Sequence, residues 1–77
     1  MHVVIAKVDE NLFEGEATSV TLPAAEGVMT ILDRHMPVVT TLKEGKIVVR
    51  EKGAPDKEFS IMSGVLEVRR DGATVIL

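Results

Sequence analysis

Apolar residues in this chain come in short runs, each cut within a few positions by glycine, proline or acidic residues, and no stretch sustains a helical period. Segments this short, and this rich in Val, Ile and Thr, bury their apolar sides most readily as strands. Val3 to Val8 is strand-like, and Asp9-Glu10-Asn11 breaks it. Leu12 to Gly15 is a short apolar piece ending on a turn or bulge glycine. Ala17 to Leu22 alternates, with Thr18, Val20 and Leu22 on one side, as a half-buried strand does; Pro23 ends it or marks an edge. Ala24 to Gly27 is a turn and Val28 to Leu32 a short strand. Asp33 to Pro37 is a loop, because proline biases Met36 away from the helical region. Val38 to Leu42 is the next strand, and Lys43-Glu44-Gly45 reads as a tight hairpin turn. Lys46 to Arg50 alternates with Ile47 and Val49 inward, and Lys52 to Asp56 is a hairpin loop. Lys57 to Met62 places Phe59 and Ile61 on one face before the turn or bulge at Ser63-Gly64. Val65 to Arg69 leads to Asp71-Gly72, a type I′ hairpin signal, and Thr74 to Leu77 closes the run of strands.

Roughly eight to ten short strands joined by turns predict an all-β fold, an antiparallel β-sandwich or flattened barrel. The 77 residues are expected to form one domain, 1–77, with no linker or repeat. There is no cysteine, so no disulfide supplements a small core. At 45% apolar the chain is far from the composition of a disordered tail. Phe13 and Phe59 are the only aromatics and the net charge is −3, which argues against nucleic acid as a partner: stacking platforms and a basic face are both missing. No apolar run reaches the roughly 18 residues of a membrane-spanning helix. Met1 to Lys7 lacks the basic start of a signal peptide, so a cytoplasmic location is expected.

Catalytic chemistry finds little support. His2 and His35 are the only imidazoles, one at the chain start and one in a mid-chain loop, a poor basis for a metal site. By itself His35 reads first as a loop histidine bonding backbone groups, and second as a residue shaping a partner-binding loop. The carboxylates fall mostly in turns or on outward strand positions, and so small a chain has little room to face two of them across a cleft. No serine sits in a Gly-x-Ser-x-Gly elbow, and no phosphate-cradling glycine motif occurs. Catalytic, metal and cofactor residues are therefore not expected, and the chain is not expected to be an enzyme by itself. What stands out is apolar loop surface. Val28, Met29, Met36 and Pro37 exceed what a small core can take, and an exposed apolar patch on a small protein marks a partner. A partner-docking protein would show a broad flat patch. The alternative, a stand-alone sandwich binding a small ligand, would show a concave pocket with convergent polar groups.

The order of motifs resembles a known family. Leu12-Phe13-x-Gly15 precedes Ser19-Val20-Thr21-Leu22-Pro23, followed by Glu26-Gly27 and Ile31-Leu32-x-x-His35-x-Pro37. Then come Leu42-Lys43-x-Gly45, Phe59, Ser63-Gly64-Val65-Leu66-Glu67-Val68 and Thr74-Val75. The series is similar to the N-terminal β-sandwich domain of the epsilon subunit of F-type ATP synthases, called delta in mitochondria, over essentially the whole chain. The resemblance implies two five-stranded sheets, about ten short strands in all. It implies a non-catalytic rotor subunit of the central stalk, without a cofactor. Such a subunit docks on the gamma subunit and on the membrane c-ring, and couples proton translocation to ATP synthesis. It implies a peripheral location on the cytoplasmic side of the energy-transducing membrane, and self-association through the gamma-binding face when gamma is absent. In the family the segment matching Glu26 to Pro37 faces the c-ring, which carries over Glu26, Gly27, Val28, Arg34, His35 and Met36 as contact residues.

The departures are specific. Val28 stands where the family usually has an acidic residue, Asp33-Arg34 where it has Pro-Gly, and Ser63-Gly64 where it has a glycine pair. Arg34 is expected to supply a charged contact to an acidic partner loop. Most bacterial members continue into two C-terminal helices that carry an inhibitory arm. These 77 residues hold no counterpart of them: a natural chain of this length is expected to couple without that inhibition, a piece of a longer one to be the docking domain alone, and in either case no ATP site is assigned to these residues.

Overall fold

The computed structural model describes residues Met1–Leu77. Nine strands follow in order: β1 (His2–Ala6), β2 (Asn11–Glu16), β3 (Ser19–Ala24), β4 (Gly27–Leu32), β5 (Val38–Leu42), β6 (Gly45–Arg50), β7 (Lys57–Ile61), β8 (Gly64–Arg69) and β9 (Gly72–Ile76). The all-β expectation holds, but the division into two five-stranded sheets does not. All nine strands join one hydrogen-bonded path, β2-β1-β9-β8-β5-β3-β6-β7, with β4 added on β3. The reason lies in β3. Ser19 to Thr21 pair with β6, while Ala24 pairs with Leu42 of β5, so one strand belongs to both halves. The path curls until its ends meet. Phe13 of β2 and Phe59 of β7 pack edge to face with ring centroids 6.3 Å apart, and the Lys57 ammonium lies 5.4 Å above Phe13.

Between the halves β2-β1-β9-β8-β5 and β4-β3-β6-β7 lies a core of 16 buried apolar residues. Alternation places them there: Val3 and Ile5, Val20 and Leu22, Ile47 and Val49, Leu66 and Val68, with the intervening residues turned outward. Each large side chain so buried contributes about 1.5–3 kcal/mol relative to exposure.

Several expectations are corrected. Lys43-Glu44-Gly45 is not a hairpin turn, because β5 and β6 do not pair; β3 lies between them, and the segment carries the chain across it. A Cβ at Gly45 would come within 2.9 Å of the Pro23 ring, which is why the crossing is tight there. Pro23 neither ends β3 nor marks its edge. It sits inside the strand opposite Val28, where the far side of β3 changes partner from β6 to β5. Its carbonyl accepts from Lys43 N at 2.9 Å on that far side, so its missing N–H costs the β4 ladder nothing. β3 is buried on both faces except for Thr21, where one polar face was expected. The β8–β9 loop is Arg70-Asp71, since Arg69 pairs with Gly72, and neither loop residue has the positive φ of a type I′ turn. Gly72 is required for another reason: a Cβ there would overlap the carbonyl oxygen of His2 in the neighbouring β1. β1 and β9 form the one parallel pair, and this ties down the chain start.

Candidate partner-binding surface

β4 organises the surface. Its alternation buries Ile31, half-buries Met29, and turns Val28, Thr30 and Leu32 outward. At its first end, the Ala25-Glu26 turn leaves Glu26 exposed, and Gly27 enters the strand at φ 135°, a value that favours glycine. At its other end, residues 33–37 arch over to β5. His35 N–H donates to Leu32 O at 3.2 Å and closes a turn whose third residue, Arg34, has φ 65°. That left-handed position ordinarily takes glycine, and a side chain there carries a cost of about 1–2 kcal/mol. The His35 ring donates from Nδ1 to Met36 O at 2.8 Å, which orients the imidazole along the loop.

The two groups of expected contact residues do not form one compact site. Glu26, Gly27 and Val28 lie at one end of β4, and Arg34, His35 and Met36 beyond the other, about 17 Å apart at strand rise. What joins them is the start of β5. An open cleft lined by Glu26, Gly27, Val28 and Met29 continues past Val38 and Val39. A second runs from Pro37 and Val39 to Arg70, and a third holds Arg34, His35 and Met36 with Arg70. The result is a continuous shallow strip, with Val28 74%, Met36 79% and Val39 69% exposed. Arg34 and Arg70 have no acidic partner within 4 Å, so the strip has free positive charge at the His35 end.

Val39, Leu32 and Arg70 were missed in the sequence. The period-two alternation of β4 and β5 signals the first two; no local signal brings Arg70 beside His35, because the β8–β9 turn does so. A second apolar area lies further along the outer face that carries Val39, where Val65 and Ile76 are cross-strand partners and both exposed. At the chain start, the Met1 ammonium donates to Ala17 O at 3.0 Å, and the His2 ring lies between Glu14 and Glu16, 3.3 Å from each. No three metal-ligating side chains converge.

The family described as ATP synthase, Delta/Epsilon chain, beta-sandwich domain matches residues 1–77. The ATP synthase epsilon chain of Caulobacter vibrioides is 38% identical over 76 residues, covering 99% of this chain and 87% of that protein. The epsilon chain of Herminiimonas arsenicoxydans is 35% identical over 77 residues, covering 99% of this chain and 55% of that protein. The chain thus spans most of the first relative and about half of the second. Among solved structures, a chain of the Euglena gracilis mitochondrial ATP synthase OSCP/F1/c-ring assembly has a TM-score of 0.88 at 22% identity, covering 96% of this chain and 48% of that one. A chain of the Tetrahymena thermophila mitochondrial ATP synthase central stalk and c-ring has a TM-score of 0.81 at 15% identity, covering 97% of this chain and 60% of that one. At those identities the likeness is one of fold.

Proposed function

Because this chain belongs to the ATP synthase delta/epsilon family, by its beta-sandwich domain, we propose that it serves as a non-catalytic rotor subunit of the central stalk. In this role it docks on the gamma subunit and on the c-ring, and helps couple proton translocation to ATP synthesis. The observation that carries the reading is the family match along residues 1–77.

The strip along β4 and the start of β5 supports it. It is open, mostly apolar and free of internal ion pairs at Arg34, as a protein-docking surface requires. We assign Glu26, Gly27, Val28, Arg34, His35 and Met36 to the c-ring side. Arg34 meets an acidic loop, and Val28 makes an apolar contact where the family usually makes an acidic one. The strained φ of Arg34 supports a functional role for this side chain, since such strain collects at sites that use it. The Val65 and Ile76 area, on β8 and β9 away from β4, is assigned to gamma, and its exposure underlies the self-association expected without gamma. The location that follows is peripheral, on the cytoplasmic side of the energy-transducing membrane. The small-ligand reading gains nothing from the clefts, which are open and lack convergent buried polar groups.

The test is functional. Membrane vesicles whose ATP synthase lacks its epsilon subunit are supplied with this chain, and ATP-driven proton uptake is followed. Restored uptake is expected, with a smaller recovery from Arg34→Glu. Uptake unchanged by a chain that is folded by circular dichroism would overturn the reading.

A further inference from the structure

β2, β7 and β4 each have a whole edge that pairs with no other strand, and β5, which meets β3 only at Leu42, is open along Val38 to Thr41. An open edge is a template for another strand, and proteins commonly protect it with charge or proline. β2 carries Glu14 and Glu16, and β7 carries Lys57 and Glu58. The open part of β5 is a short Val-Val-Thr-Thr, whereas β4, reading Gly-Val-Met-Thr-Ile-Leu, is open along all six residues with neither charge nor proline.

The ladder fixes which backbone groups of β4 are free. In a strand, the N–H and C=O of one residue point to the same edge, and successive residues alternate. Pro23 O and Ala25 N–H are both engaged away from β4, by Lys43 and Thr41. Val20, Leu22 and Ala24 therefore face β4 and pair with Ile31, Met29 and Gly27. Val28, Thr30 and Leu32 turn their backbone groups to the open edge. Of these groups only Leu32 O has a partner, His35 N. The same residues hold their side chains on the outer face, so edge and face are both uncovered.

This edge complements itself. In an antiparallel pair, directly opposite residues lie on the same face. A two-fold axis at Thr30 sets Thr30 against its own copy and Val28 against the partner subunit's Leu32, joining the two exposed apolar side chains on each side of the axis. The groups at the free edge are then the ones that exchange hydrogen bonds. We propose that β4 pairs antiparallel with β4 of a second copy, in this register, giving an isologous dimer with a sheet continuous across the two-fold. The inference does not depend on the stalk reading. It covers Val28, so one copy cannot use that residue for the dimer and for a c-ring contact at once.

Sedimentation velocity on the whole chain across a concentration series tests it, together with amide hydrogen exchange. A reversible dimer is expected, with Val28 and Thr30 amides protected in it and exchanging fast on dilution, while Met29 and Ile31 stay protected throughout. Val28→Lys should weaken the dimer about tenfold or more, since it places a charge on the edge. Adding Leu32→Glu should recover much of the loss, because the register sets that Glu opposite the partner's new Lys. A monomer at every concentration overturns the proposal. So does a dimer whose Val28 and Thr30 amides exchange freely, or a double variant no better than the single one. Protection of these amides that appears only with added gamma or c-ring also overturns it, and assigns the edge to that partner. If Val28→Lys does not fold, the exchange data on the unsubstituted chain decide.

Discussion

β6 and β4 lie on either side of β3, and they share its inward chemistry while differing on the outside. Ile47 and Val49 of β6 and Ile31 of β4 are fully buried in the same core. Outward, β6 is polar and paired. Lys46 meets Glu58 at 3.4 Å, and Arg50 reaches Asp56 at 3.6 Å and the Thr21 hydroxyl at 2.9 Å. β4 offers Val28 and Leu32 to solvent, with only the Thr30–Thr21 hydroxyl contact at 3.0 Å between them. Burial fixes what a strand must be on one side. The other side is free to vary, and on β4 that freedom leaves the exposed apolar residues to which we assign docking.

The comparison can be broken first in the core. Ile47→Ala and Ile31→Ala should each lose about 2–5 kcal/mol, because both remove a fully buried side chain from one shared core. Urea unfolding measures both, and a loss confined to β6 would show that β4 is not integral to that core. Gly72→Ala should cost about 1–3 kcal/mol, since the new methyl must push β1 away from β9. Arg34→Gly should gain up to about 1 kcal/mol, as relief of the left-handed strain outweighs the added freedom of the unfolded chain. Lys46→Ala should cost less than about 1 kcal/mol, the ordinary worth of an exposed ion pair. Val28→Lys should move stability by no more than about 0.5 kcal/mol while weakening association at the edge about tenfold or more. A Val28→Lys loss as large as that of Ile31→Ala would erase the difference between the two sides of β4.

Much of this was legible in the sequence. Lys46 to Arg50 announces itself through alternation, and its strand begins one residue earlier than expected, at Gly45; Val38 to Leu42, rich in Val and Thr, has the expected bounds. Pairing was not legible. The Lys43-Glu44-Gly45 turn has the local chemistry of a hairpin, and only the position of β3 between β5 and β6 makes it a crossing. Pro23 reads as an edge because the break between two partners of β3 lies in the tertiary structure. Gly72 reads as a turn residue, whereas what excludes a side chain there is the carbonyl of His2, distant in sequence. In the site, the exposure of Val28 and Met36 was readable from their excess over a small core. Their separation along β4, and the arrival of Arg70 beside His35, were not.

The central claim is that these residues dock in the stalk of an ATP synthase. Isothermal titration of the folded chain into recombinant gamma subunit tests it most directly. The account predicts a saturable complex, weakened when Val65 or Ile76 is replaced by Glu and unaffected by Arg34→Glu. A folded chain that shows no binding to gamma would contradict it.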